Sequence, residues 1–199
     1  MRRVYVLISL AAVLAFGMGG LTAQPKIVQP QPKVIQVKQA DWKSALAKRI
    51  PQYGHRNWIV IADSAYPSQS RAGIETVVTH ADQLEVLGVV LDELAKQKHI
   101  RPVVYLDAEL PHVPEKDAEG IDKYRTDLAK RLGDRQPLSL PHEQIIDKLD
   151  KAGEKFNVLL LKTNLTLPYT SVFLELDCGY WSPEAEKRLR EAIGKNKDK

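Results

Sequence analysis

The sequence predicts an α/β fold, a single three-layer domain with a central sheet and helices on both faces, from three observations. Short apolar runs at 58–62, 101–107 and 158–162 have the composition of strands covered on both sides. Longer segments between them carry apolar residues at helical spacing, most clearly at 81–96, where Leu84, Leu87, Val90, Leu91 and Leu94 fall on one stripe. Strands that alternate with helices return to a common sheet, and the helices then cover both of its faces.

The elements follow in order. Residues 1–23 precede the fold: Arg2 and Arg3 form a charged start, Val4 to Leu21 is apolar, and Leu21-Thr22-Ala23 is a small-residue exit. That is the pattern of a signal peptide cleaved at about Ala23/Gln24, so the protein is expected to be exported, periplasmic or extracellular, with no membrane attachment after cleavage. A retained anchor would have much the same sequence. Residues 24–40, with Pro25, Pro30 and Pro32, read as an extended linker without helix or strand. The domain then occupies residues 41–199, long enough for one core.

Within it, a helix is expected from Asp41 to Ile50, ended by Pro51, and a strand from Gly73 to Val78. Gly88 inside the 81–96 helix is expected to admit a closely packed neighbour. Further helices are expected at 117–132, stopped by Gly133, and at 141–152, with Pro141 at its first position and Gly153 just past its end. Strands at 158–162 and 170–177 and an amphipathic helix at 183–193 complete the series.

Composition excludes several classes. The net charge of +4 falls to +2 when Arg2 and Arg3 leave with the signal, and no arginine-rich stripe interleaved with aromatics exists, so no nucleic-acid partner is expected. Cys178 is the only cysteine, which rules out an intramolecular disulfide and a thiolate metal cluster, and its apolar neighbours predict burial. There is no glycine-rich phosphate loop, no Gly-x-Ser-x-Gly and no His-Glu-x-x-His. His80-Ala81-Asp82 and His142-Glu143 fall short of three spaced ligands, so neither a metal nor a cofactor is expected.

The candidate site residues flank strands. His55 precedes the 58–62 strand and Asp63 follows it, at the strand end where open α/β sheets bind ligands. Five extended residues span about 17 Å, so the two share a pocket only if loops fold back or a second subunit intervenes. Otherwise His55 is a loop residue and Asp63 a turn or cap residue for Ser64 and Ala65. His142 lies in the first turn of a helix, where the positive helix end favours a neutral imidazole, or it is a surface residue there. Lys162 leaves a strand, and Pro168-Tyr169 opens the next, with Tyr169 either at a site or a packed aromatic with a wet hydroxyl.

Taken in order, Gly54-His55, Ile59-Val60-Ile61-Ala62-Asp63 with Pro67, Leu84-Glu85-Val86-Leu87-Gly88-Val89-Val90 with Glu93, His142-Glu143-Gln144, and Lys162 leading to Pro168-Tyr169 resemble the D-ribose pyranase and L-fucose mutarotase family, over about residues 50–177. The resemblance implies a cofactor-free sugar isomerase of α/β fold, assembled as a ring-like homo-oligomer with sites near subunit contacts. It implies a monosaccharide substrate, His55 as proton donor, and Asp63, His142 and Tyr169 around the sugar. Where the family has Tyr-Ala-Asn, this chain has Tyr169-Thr170-Ser171, so the hydroxyl of Ser171 stands in for an amide at the sugar. The family's Ala-Gly-Leu-Pro after the aspartate is Ser64-Ala65-Tyr66-Pro67 here.

The residue types suit that chemistry. Interconverting anomers, or pyranose and furanose rings, needs a proton taken from the anomeric hydroxyl and one given to the ring oxygen. A histidine serves either step, and a carboxylate such as Asp63 orients it or holds sugar hydroxyls. The expected activity is thus a mutarotase or pyranase with His55 and Asp63 catalytic and Asp63, His142, Lys162, Tyr169 and Ser171 binding the sugar. The alternative is a catalytically silent, exported sugar-binding or structural module on the same scaffold.

Overall fold

The computed structural model describes residues 33–36 and 41–195, so the expected signal at 1–23 lies outside the described residues. The elements are β1 (Lys33–Gln36), α1 (Asp41–Arg49), β2 (Trp58–Ala62), β3 (Ile74–Val78), α2 (Gln83–Ala95), β4 (Ile100–Asp107), α3 (Ile121–Leu132), β5 (Leu138–Leu140), α4 (His142–Gly153), β6 (Val158–Lys162), β7 (Val172–Cys178) and α5 (Pro183–Lys195). The strands form one sheet in the order β1-β3-β6-β2-β7-β4-β5. β7 is antiparallel to both its neighbours, and every other pairing is parallel. The C-terminal ends of all the other strands therefore share one edge with the start of β7.

The three layers follow from alternation along β2, which is buried along its whole length. Ile59 and Ile61 pack with Trp42, Leu46, Leu87, Leu91 and Leu128 from α1, α2 and α3. Trp58, Val60 and Ala62 face the other way, against Ile145 and Leu149 of α4. Period-2 side chains on a central strand thus feed two cores, and full burial of each leucine or isoleucine contributes about 1.5–3 kcal/mol. The predicted α/β architecture is the observed one.

Several elements differ in detail. Lys33–Gln36, inside the expected linker, forms β1 and pairs in parallel with β3; the extended backbone that prolines favour is also that of an edge strand. β5 is not expected from sequence, because three residues, two of them exposed, carry no periodicity. β4 is buried only at Ile100, Val104 and Asp107, since short β5 covers it poorly. The buried face of α2 is broader than its leucine stripe: Gln83, Val86 and Gly88 are buried, while Leu84 is only partly so. Gly88 does admit a close neighbour, for a Cβ there would lie 2.9 Å from Nη1 of Arg131 on α3. Pro141 is the cap preceding α4, with no side-chain capping bond of its own. Cys178 is half-buried at the end of β7 instead of buried.

Candidate functional site

The shared strand edge gathers polar side chains. Register sets the row: Ala62 lies opposite Lys162, Ile61 opposite Val172, Leu106 opposite Val172, and Asp107 opposite Leu140. Asp63 just past β2, Ser171 just before β7, Asp107 at the end of β4 and His142 at the start of α4 therefore come to neighbouring positions.

Asp63 is 9% exposed and fully engaged. Its Oδ1 accepts the Ala65 N–H at 2.8 Å, and its Oδ2 accepts the Ser171 hydroxyl at 2.8 Å. Ser171 Oγ in turn accepts the Asp63 N–H at 3.2 Å. The carboxylate thus shapes the turn after β2 and is tied to the start of β7. The turn role and the site position coexist in one residue.

His142 is held from the end of β4. Its Nδ1 lies 3.1 Å from Oδ1 of Asp107, whose side chain is completely buried. Glu109, two residues on, accepts the His142 backbone N–H at 3.1 Å with each carboxylate oxygen. That bond caps α4, whose preceding Pro141 supplies no side-chain cap. Burial pushes the Asp107 carboxyl up to about 6; hydrogen bonding and charge from His142 oppose this, and the nearby charges of Glu109 and Asp63 add to it. Its Oδ2 is buried without a hydrogen-bond partner among the described residues.

Aromatic rings close the imidazole in. Tyr169 meets it edge-on with ring centroids 5.6 Å apart, and Tyr66 does so at 6.4 Å. Tyr169 adopts a left-handed backbone conformation (φ 56°), an uncommon one for a non-glycine residue that occurs often at ligand sites. Burial first, then the charges of Asp107 and Asp63, push the Tyr66 phenol up, so it stays protonated. Lys162 does not point a free ammonium into the cluster: Nζ donates to the Tyr66 carbonyl at 2.8 Å and pins the 63–67 turn. Beneath, Gln83 donates to the Tyr124 hydroxyl at 2.8 Å, and that hydroxyl donates to the Thr170 carbonyl at 2.7 Å. This buried network anchors the segment that carries Tyr169 and Ser171. A cavity of about 560 Å³ opens beside the cluster, lined by Glu109 and Tyr169 among others.

His55 is elsewhere. It lies in the turn before β2, at the opposite end of the sheet, and lines a cavity of about 480 Å³ with Arg56, Arg101, Asp177, Trp181 and Arg190. One chain brings together Asp63, His142, Lys162, Tyr169 and Ser171 and leaves His55 apart. Sequence reasoning missed Asp107 and Glu109. The signal was present, since Asp107 ends a strand as Asp63 does, but only pairing with β5 shows that His142 is its neighbour. Among the described residues, no group of three or more His, Cys, Asp and Glu is placed to hold a metal ion.

The fold and this edge define a class, an α/β protein with a small pocket of carboxylates, imidazole and phenols at its strand ends. The model of the RbsD / FucU transport protein family matches residues 38–179, and the chain belongs to that family. Among solved structures it is similar to Bacillus subtilis RbsD complexed with D-ribose, at 20% identity and TM-score 0.48, over 67% of this chain and 92% of that one. It is also similar to the fucose mutarotase in complex with L-fucose from Streptococcus pneumoniae, at 20% identity and TM-score 0.46, over 67% and 91%. FucU from Bifidobacterium longum follows at 18% and 0.48, over 67% and 94%. No curated protein matches the sequence.

Proposed function

We propose that the protein is a monosaccharide isomerase of the mutarotase or pyranase type, interconverting anomers or ring forms of a free sugar without a cofactor. One observation carries the reading: a buried carboxylate, Asp107, bonds the partly exposed imidazole of His142 beside Tyr169, which lines a cavity large enough for a monosaccharide at the strand ends. Membership of the RbsD / FucU family supports it. Ring opening needs one proton removed and one delivered, and positioned groups accelerate such transfers typically by about 100- to 10,000-fold. Tyr169 would hold a sugar hydroxyl, the bonded pair of Asp63 and buried Ser171 would fix the floor of the site, and Lys162 would keep the 63–67 turn in place.

His55 belongs to this reading through assembly. We infer a homo-oligomer in which His55 of a second copy approaches the Asp63 edge, since the strand between them separates the two within a chain. The N-terminal pattern at residues 1–23 supports export with cleavage near Gln24, which the intact mass of the purified protein checks.

Exchange NMR on ribose, fucose and galactose tests the function. Wild type is expected to accelerate interconversion of at least one sugar, and His55→Ala to lose that acceleration. Mixing His55→Ala with Tyr169→Phe subunits is expected to restore activity if sites are shared. Binding without acceleration would instead make the protein a silent sugar-binding module.

A further inference from the structure

We propose that Asp107 is a positioning residue that holds the imidazole of His142 with its proton on Nδ1, so that unprotonated Nε2 is the atom presented to the ligand. The end of β4 grips His142 twice: Asp107 takes the ring at Nδ1 and Glu109 takes the backbone N–H, all at 3.1 Å. Tyr66 and Tyr169 stand edge-on to the ring and limit its rotation.

The proton's place follows from the surroundings of Asp107. Its side chain is wholly buried, and Oδ2 has no partner among the described residues, so the contact with His142 is its one side-chain hydrogen bond there. The charged and titratable groups around it are Asp63 at the end of β2, Glu109 beyond β4, His142 on α4, and the phenols of Tyr66 and Tyr124. Lys162 at the end of β6 is occupied by the Tyr66 carbonyl. Above about pH 6 the Asp107 carboxyl is ionised, and a carboxylate only accepts. The shared proton therefore sits on Nδ1, and a neutral imidazole with Nδ1–H has its lone pair on Nε2. Among the described residues nothing hydrogen-bonds Nε2.

On the proposed activity, that lone pair takes the proton of the anomeric hydroxyl. The C1–O1 bond becomes a carbonyl as the C1–O5 bond breaks, and its electron pair goes to O5, which takes a proton from His55 of the second copy or from water. Only this rate consequence rests on the proposed function; the tautomer does not.

Two-dimensional ¹H–¹⁵N spectra of protein labelled with ¹⁵N at histidine, at pH 8, test the proposal on the wild type alone, His142 being assigned by its loss in His142→Gln. The expected signal is the Nδ1–H form, converting to the Nε2–H form common in free histidine in Asp107→Ala. Asp107→Asn, which keeps size and a carbonyl acceptor, is expected to retain Nδ1–H and controls for folding. An Nε2–H tautomer in the wild type overturns the proposal, as does a tautomer unchanged in folded Asp107→Ala. If wild type accelerates sugar exchange, Asp107→Ala is expected to lower that rate by about tenfold or more with little change in KM. If wild type accelerates nothing yet shows Nδ1–H lost in Asp107→Ala, the proposed function fails and the positioning role stands.

Discussion

The two ends of β2 handle charge in opposite ways. At the Asp63 end, carboxylates are buried, satisfied by short-range bonds or left partly unsatisfied, and crowded by one another. At the His55 end, charges sit in half-exposed pairs: Arg101 reaches Asp177 at 2.6 Å with both side chains more than 40% exposed. Partial burial raises the Asp177 carboxyl, but the Arg101 hydrogen bond, the Cys178 N–H, and the charges of Arg101 and His55 outweigh it and leave it below the usual range. The same sheet thus has a low-dielectric edge, where each polar group matters to folding, and a watery edge, where salt and solvent screen most of the interaction.

That contrast is breakable by measurement. The largest effect is expected from Asp63→Ala, which strands the buried Ser171 hydroxyl and removes the bond that holds the Ala65 N–H in the exposed turn after β2. The orphaned hydroxyl costs about 1–3 kcal/mol and the lost turn bond about 0.5–1.5 kcal/mol, so urea unfolding should report a loss of about 1.5–4.5 kcal/mol. Next comes Asp107→Asn. A carboxyl raised from 3.8 to about 6 on folding contributes stability at low pH that is lost as pH rises through about 6. Removing that ionisation should make the Asp107→Asn variant more stable than wild type at pH 8, by about 3 kcal/mol at most, with the gap closing by pH 4. Thermal melts across that range check the sign.

Ser171→Ala deprives Asp63 Oδ2 of its single hydrogen bond, and a loss of about 1–2 kcal/mol is expected in the same urea assay. The smallest effect is expected at the other end. Asp177→Asn removes an exposed pair and should change stability by less than about 1 kcal/mol, with the difference shrinking further in high salt. A large, salt-insensitive loss there would erase the distinction between the two edges.

The legible part of the sequence is the part with local periodicity. β2 and β6 can be placed to the residue, because an apolar run bounded by polar residues has only one reading when both faces are covered. Asp63 is legible for the same reason, being the first polar residue after such a run. β5 and β1 are not legible, since edge strands are set by the backbone pairing of a neighbour. The burial of Gln83 is equally hidden: it lies on a helix otherwise read from leucines, and its partners Tyr124, Thr163 and Thr170 come from other parts of the chain.

By itself, the sequence determined the α/β order of elements, the two-sided core around β2 and the family to which residues 38–179 belong. These depend on side-chain spacing along one segment at a time. Only the tertiary structure decided that Asp107 meets His142 across thirty-five positions of chain, that Lys162 ties down a turn, and that His55 stands at the far edge of the sheet. Those facts come from strand order and register, which bring distant residues together through backbone hydrogen bonds that leave no periodic trace in the residues themselves.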